Sequence, residues 1–467
     1  MSNKTENEIL RDYLLSAKKS GFDVMEEEEL ARAFEYCEGY KHFLDVAKTE
    51  RLAAAEAIRM AKEKGFKEFD PSVKLSAGDK VFVNNKNKSV ILAVMGTETV
   101  DKGVNLAVSH IDSPRLDLKQ HPLFENNGVG YLKTHYYGGI KKFQWVTIPL
   151  AMYGTVLRRD GESVDIAIGD GENDPVFCIS DLLPHLGQDQ MSKPMHQAFT
   201  GEGLNVIFGS VPLKDDKISE QIKVALMKLL NERYGIVEDD FMCAEIEIVP
   251  QGRAKDVGLD RALIGAYGHD DRVCAYPSLT ALLELEAPAK TAVCVLADKE
   301  ETGSDGNTGM QGAYLQYFLG DLAHMQQVCP HRVMENTVCF SADVNAAFDP
   351  NYPEVSELNN SVQLHYGMAV TKYTGSRGKS GTSDASAEFM NKVRLLLDGE
   401  GVLWQTGELG KVDQGGGGTV AKYVANLGPD VVDVGIPVLS MHAPFEIVSK
   451  IDVYMGHKAF SALYHNQ

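Results

Sequence analysis

The sequence predicts an α/β protein, a mixed and mostly parallel sheet flanked by helices, interrupted by an inserted β-rich domain. Two features carry that expectation. From Gly258 onward, helical segments such as 274–286 alternate with short apolar strands at 291–297, 337–342 and 435–441, the order expected of βα units. Between about 114 and 258 the texture changes to short, glycine-punctuated strands with one clear helix over 217–234. A length of 467 residues and a mean hydropathy of −0.20 give enough apolar side chain for one large or two medium cores.

Taken in order, residues 1–66 read as helical scaffold. In 49–64, Leu52, Ala55, Ile58 and Ala61 recur every third residue, and Gly65 supplies a stop. The runs 80–85 and 89–96 flank a polar turn and form a hairpin, and a third β-rich run follows at 104–109. Within the insertion, strands at 155–159 and 164–168 face each other across the Asp160-Gly161 turn. The division expected is 1–113 with 256–467 as one discontinuous domain and 114–255 as the insertion.

Charge and cysteine content exclude several classes. Asp and Glu number 66 against 46 Lys and Arg, a net charge of −20, which repels nucleic acid and anionic membranes. The N-terminus scatters charges where a signal peptide needs an apolar run, and the best apolar stretch, 147–157, is roughly half the ~20 residues of a spanning helix. Seven cysteines without a C-x-x-C pair support neither a disulfide framework nor a cysteine zinc module. A cytoplasmic protein is therefore expected.

Chemistry gathers at strand ends. LAVSH ends in His110 with Asp112 close behind, VCVLADKEE ends in Asp298, Glu300 and Glu301, CFSAD ends in Asp343, and PVLSMH ends in His442. A fifth acidic element, Gly268-His-Asp-Asp-Arg272, precedes a helix. In open α/β sheets ligands bind outside the carboxyl ends of strands, so these distant residues can meet in one crevice. Imidazoles and carboxylates without thiolates suit Zn, Mn or Co, and two ions could share them. Adjacent Glu300 and Glu301 point in different directions, which separates a metal ligand from a general base.

Other motifs are set aside. The segment YTGSRGKS at 373–380 has Tyr373 where a phosphate-binding loop needs its first glycine, and the glycine run 415–418 reads equally well as close packing or a turn. Neither G-x-S-x-G nor H-E-x-x-H occurs, which disfavours serine-hydrolase and single-zinc protease chemistry.

The strings AVSHIDSPRLDLK, GHDDRVCAYPSLTALL, DKEETGS, SADVNAAFDPNYPE and VLSMHAPFE resemble the successive signature segments of the aspartyl aminopeptidase family, which includes the vacuolar aminopeptidase I type enzymes. The resemblance implies a zinc aminopeptidase-like catalytic domain with an inserted dimerisation domain. It implies a dinuclear site, most simply zinc with cobalt or manganese as alternatives, one ion held by His110 and Asp343, the other by Glu301 and His442. Asp270 would bridge them, with Asp271 as its one-residue rival; Asp112 would orient an imidazole and Glu300 would be the general base. The substrates implied are peptides with a free N-terminus. An acidic first residue is the leading expectation, a neutral one the rival, and Lys379 and Arg377 are the candidate substrate cations. The stretch 182–186 resembles the one that carries a histidine, here His185, into a neighbouring subunit's active site, and dimers assembling into a dodecamer are implied. The rival functions are a dinuclear hydrolase of acylated amino acids and a catalytically silent assembly protein of the same fold.

Overall fold

The computed structural model describes residues 4–16 and 18–467. A nine-stranded mixed sheet forms the frame, in the order Lys67–Glu68, Lys80–Asn85, Ser89–Val94, Ala292–Ala297, Asn105–His110, Val338–Ala342, Asp430–Gly435, Met368–Thr371 and Trp404–Thr406. The four strands from Ala292–Ala297 to Asp430–Gly435 are parallel to one another, and five of the eight neighbouring pairs are parallel. The hairpin expected over 80–96 is present, with Asn85 opposite Ser89.

The central strands are apolar at successive positions because both faces are covered. Val90, Leu92, Cys294 and Leu296 face one core, packed with residues of helices Glu27–Val46, Glu50–Glu63, His269–Leu283 and Lys450–His465. Ile91, Ala93, Val293 and Val295 face the other, packed with residues of Tyr314–Met325, Pro330–Asn336 and Ala421–Ala425. This period of two divides each strand between two layers.

The insertion carries its own antiparallel sheet, ordered Ser163–Ile168, Leu150–Leu157, Ala244–Pro250, Arg115–Asn126, Val129–Tyr137 and Val206–Gly209. A separate core around buried Trp145 fills it, and Ile222, Leu226 and Leu230 of helix Gln221–Tyr234 close it.

Two expectations need correction. Residues 435–441 do not form one strand: Asp430–Gly435 ends in the nine-stranded sheet, and Pro437–Leu439 begins in a third, five-stranded sheet with Lys255–Val257, Leu263–Ala266, Glu446–Ser449 and Asn345–Ala346. At that break Gly435 packs so tightly that a Cβ would lie 1.9 Å from the Asp343 carbonyl oxygen. Pro437, two residues on, has no N–H to continue the ladder. The helix expected over 274–286 spans His269–Leu283, so the GHDDR acids belong to its first turn, where Asp270 and Asp271 depart from helical dihedrals.

Candidate active site

Three neighbouring parallel strands deliver their C-terminal ends to one cleft. Asn105–His110 ends in His110, Ala292–Ala297 leads through Asp298 to Glu300 and Glu301, and Val338–Ala342 leads to Asp343. Asp270 enters from the start of helix His269–Leu283. His442 comes from the turn after Pro437–Leu439 with a left-handed backbone (φ +64°), so its route differs from the central-sheet strand end expected of it.

Asp270 stands between the two imidazoles. Its Oδ1 lies 3.2 Å from His110 Nε2, and its Oδ2 lies 3.0 Å from His442 Nε2. Asp343 Oδ1 is 3.7 Å from His110 Nε2, and Glu301 Oε1 is 3.5 Å from His442 Nε2. Two groups of converging ligand atoms result, His110 with Asp270 and Asp343, and Asp270 with Glu301 and His442. Glu300 Oε2 lies 4.0 Å from His110 Nε2, beside the first group. Asp271 instead turns its Oδ2 to accept from the His110 backbone N–H at 3.3 Å.

The donor set fits a small divalent cation. Atoms each about 2.0–2.1 Å from a tetrahedral zinc lie roughly 3.3 Å from one another, close to the separations seen here. His110 Nε2, Asp270 Oδ1 and Glu301 Oε1 are buried without a hydrogen-bond partner, the expense a bound cation removes. Surrounding groups aim the ligands. The Gly139 carbonyl accepts from His442 Nδ1 at 2.8 Å, and the Asp112 carbonyl from His110 Nδ1 at 3.0 Å. A carbonyl only accepts, so each Nδ1 carries a proton, and Nε2 is the nitrogen that can ligate a metal once it sheds a second proton. Asp112, fully buried, also accepts from the backbone N–H groups of Glu300 and Glu301 at 3.2 Å each, and from the Tyr137 hydroxyl at 2.8 Å.

Burial, reinforced by the negative charge of Asp343, pushes the Glu300 carboxyl up to about 8. Burial works against a charged His442, yet the hydrogen bond to Asp270 and the charge of Glu301 outweigh it and hold the imidazolium up to about 10. By contrast His269 is a core residue: Tyr40 and the Ile264 carbonyl take its two nitrogens, and burial pulls it down to about 3.

The remaining residues singled out in the sequence lie elsewhere. His185 is exposed on the loop of the insertion, with no hydrogen bond or ion pair to this cluster. Lys379 and Arg377 line a separate cleft with Tyr373, Glu408 and Lys411; the Lys379 ammonium is 2.9 Å from Asp384 and stacks 3.7 Å from the Tyr373 ring centroid. Residues 373–380 form a loop closed by a Ser376–Ser380 bridge, and no helix follows until Ala387, so no phosphate-binding loop is built there. Sequence reasoning missed Glu446, whose two oxygens accept the backbone N–H groups of His442 at 2.7 Å and Asp270 at 3.2 Å. Its signal was an acid four residues after a ligand histidine. Tyr137 and Gly139 had none, being 25 or more residues from their partners.

A carboxylate and imidazole cluster of this kind, at the carboxyl ends of parallel strands, defines a metal-dependent hydrolase. The chain belongs to the M18 peptidases, the aminopeptidase I zinc metalloproteases, whose family model matches residues 43–464. An M18 aminopeptidase from Thermotoga maritima has a solved structure that superimposes with a TM-score of 0.92 at 43% identity, covering 97% of this chain and all of that one. Aminopeptidase I from Clostridium acetobutylicum matches at 0.91 and 43%, with the same coverage. The S. cerevisiae mApe1 dodecamer shares the fold at 19% identity, with a TM-score of 0.74 over 91% of this chain and 95% of that one. The protein is thus a metallo-aminopeptidase of the zinc class.

Proposed function

We propose that the cleft holds two divalent ions, zinc in the first instance, and removes single residues from the free N-terminus of peptides. The observation that carries the reading is Asp270, one oxygen toward each imidazole, at 3.2 and 3.0 Å. His110 and Asp343 would hold one ion, Glu301 and His442 the other, with Asp270 common to both. When bound, such ions lower the pKa of water and polarise the scissile carbonyl.

This chain's own groups supply the rest. Glu300, beside the ligands but outside both sets, takes the proton of the attacking water and returns it to the leaving amine. Asp112 keeps His110 oriented and anchors the backbone of both glutamates. The carboxylate-rich cleft favours a positively charged α-amine, which limits cleavage to the first residue.

For the first residue's side chain, the sequence favoured an acid through Lys379 and Arg377. Because Lys379 and Arg377 line a cleft that includes none of the ligand residues, and Lys379 shares Asp384 with Lys372, neutral first residues become the stronger reading. We further read 1–113 with 256–467 as the catalytic domain and 114–255 as a dimerisation domain. The insertion's separate core supports this, as do exposed Leu182, Leu183, Leu186, Met191 and Met195 around His185. His185 would then reach a partner's cleft as an oxyanion donor, and the mApe1 dodecamer is the precedent for larger assembly. Among the described residues no helix is long and apolar enough to cross a membrane, and the seven free cysteines fit a reducing, cytoplasmic setting.

The test is a panel of aminoacyl-chromophore substrates and their N-acetylated forms, assayed after metal removal and zinc readdition. Zinc-dependent release from free amines alone is expected. Equal turnover of the acetylated forms would favour a hydrolase of acylated amino acids, and no turnover at all would favour a silent assembly protein.

A further inference from the structure

The inserted sheet ends directly against the metal-binding cleft, at the close of strand Val129–Tyr137. Tyr137 donates its hydroxyl to Asp112 Oδ2 at 2.8 Å. Gly139, two residues on, accepts from His442 Nδ1 at 2.8 Å. Between them Gly138, at φ +73°, lies so close to Glu301 that a Cβ would sit 3.0 Å from Glu301 Oε2 and 3.3 Å from Glu301 Cβ. Three consecutive residues outside the ligand set therefore touch Asp112, Glu301 and His442, and through Asp112 they reach His110.

Tyr137 is fixed from behind. The Arg115 guanidinium lies 3.9 Å from its ring centroid. Arg115 is itself buried, 3.2 Å from Glu50, 3.2 Å from Glu247 and 2.8 Å from Asp117. Glu50 belongs to helix Glu50–Glu63, whereas Glu247 and Asp117 belong to the inserted sheet. The ring is thus clamped where the insertion meets the rest of the chain, and a clamped donor fixes the direction of its acceptor more tightly than a free one.

We propose that Tyr137, Gly138 and Gly139 form a positioning strap by which the inserted sheet orients the ligands of both ion positions and so sets their affinity for zinc. The inference rests on the ligand assignment proposed above. Tyr137 acts through Asp112 and is a positioning residue; by way of Asp112 its hydroxyl reaches both His110 and the backbone of Glu301. Gly138 leaves the space Glu301 occupies and, with Gly139, governs the Glu301 and His442 half. Only glycine accommodates both the left-handed backbone and that close approach.

A strand that was merely packed here would affect folding stability alone, whereas a strap changes metal affinity. The test measures zinc affinity of the full-length protein by competition with a chromophoric chelator, together with the Tm of the metal-free protein. The variants are Tyr137→Phe and Gly138→Ala, alone and combined with His110→Ala or His442→Ala. Tyr137→Phe should weaken zinc binding by about tenfold, the low end of the 10–100-fold typical when an outer hydrogen-bond partner of a ligand is lost. Gly138→Ala should weaken the zinc of the Glu301 and His442 half by at least about as much. Gly138→Ala should cost nothing further in a His442→Ala background, whereas Tyr137→Phe should still weaken the remaining zinc in either histidine background. Affinities within twofold of wild type in both single variants, with or without a lower Tm, would overturn the strap if the histidine variants do lose zinc. Full zinc binding by the histidine variants would overturn the ligand assignment and the strap with it.

Discussion

Lowering the pH should strip zinc from this protein steeply, because protons and metals compete for the same imidazoles. In the metal-free cleft His442 is held up to about 10, where burial's downward pull is outweighed by Asp270 and Glu301. His110, fully buried, is also raised well above the ordinary histidine value, since Asp112, Asp270 and Asp343 overcome its burial. Both rings therefore favour the charged form when no ion is bound, and each Nε2 must shed its proton to ligate. With raised pKa values the proton is held below the folded pKa and released above it, so affinity rises with pH and levels off for His442 only near pH 10. One proton displaced per ion makes each affinity about tenfold weaker per unit fall in pH, roughly 100-fold for the pair. Zinc titrations from pH 8 to 6 against a chelator of known pH dependence, with calorimetry in two buffers to count protons, measure this directly. Flat affinity across that range, or release of fewer than one proton per two zinc ions, would refute the reasoning.

Further predictions concern single residues. Glu300→Gln should keep its zinc yet lose at least ~100-fold in kcat, the general acid–base range, whereas Glu301→Gln should weaken zinc binding as well; metal content and steady-state kinetics separate them. Asp270→Ala should lose more zinc than either His110→Ala or His442→Ala, and wild-type occupancy in that variant would transfer the bridging role to Asp271. Lys379→Ala should leave the acidic-to-neutral ratio of kcat/KM unchanged, as expected of a lysine lining a cleft that includes none of the ligand residues; a fall in that ratio would restore it as a substrate cation. His185→Ala should cost ~100- to 1,000-fold in kcat without loss of zinc, and mixing it with Glu300→Gln chains under subunit exchange should restore activity through mixed dimers. No recovery despite demonstrated exchange would place that donor elsewhere.

Much of the frame was legible because the central strands are buried on both faces, which leaves short continuous apolar runs such as Ala292–Ala297 bounded by helices. The proposed ligands His110, Glu301 and Asp343 could be singled out for a related reason: each follows such a run, and parallel strands bring their ends together. The third sheet was not legible, since its strands are only two to four residues long and too short to show a period. His442 was found by residue type rather than by its route, because the change of sheet between Gly435 and Pro437 depends on how closely Gly435 meets Asp343. Whether Asp270 or Asp271 faces the cleft depends on dihedrals at a helix start that pattern alone does not specify. Tyr137 and Gly139 stayed hidden because one acts through a hydroxyl and the other through a backbone carbonyl, both from a separate sheet. Lys379 looked free in the sequence, and only the folded loop shows it sharing Asp384 with Lys372.

The most direct test of the central claim is an anomalous-difference map from zinc-loaded crystals, collected on both sides of the zinc absorption edge. The ligand assignment predicts two zinc peaks per chain flanking the Asp270 carboxylate, one against His110 and Asp343 and the other against Glu301 and His442. A single peak, or two peaks that do not share Asp270, would contradict it.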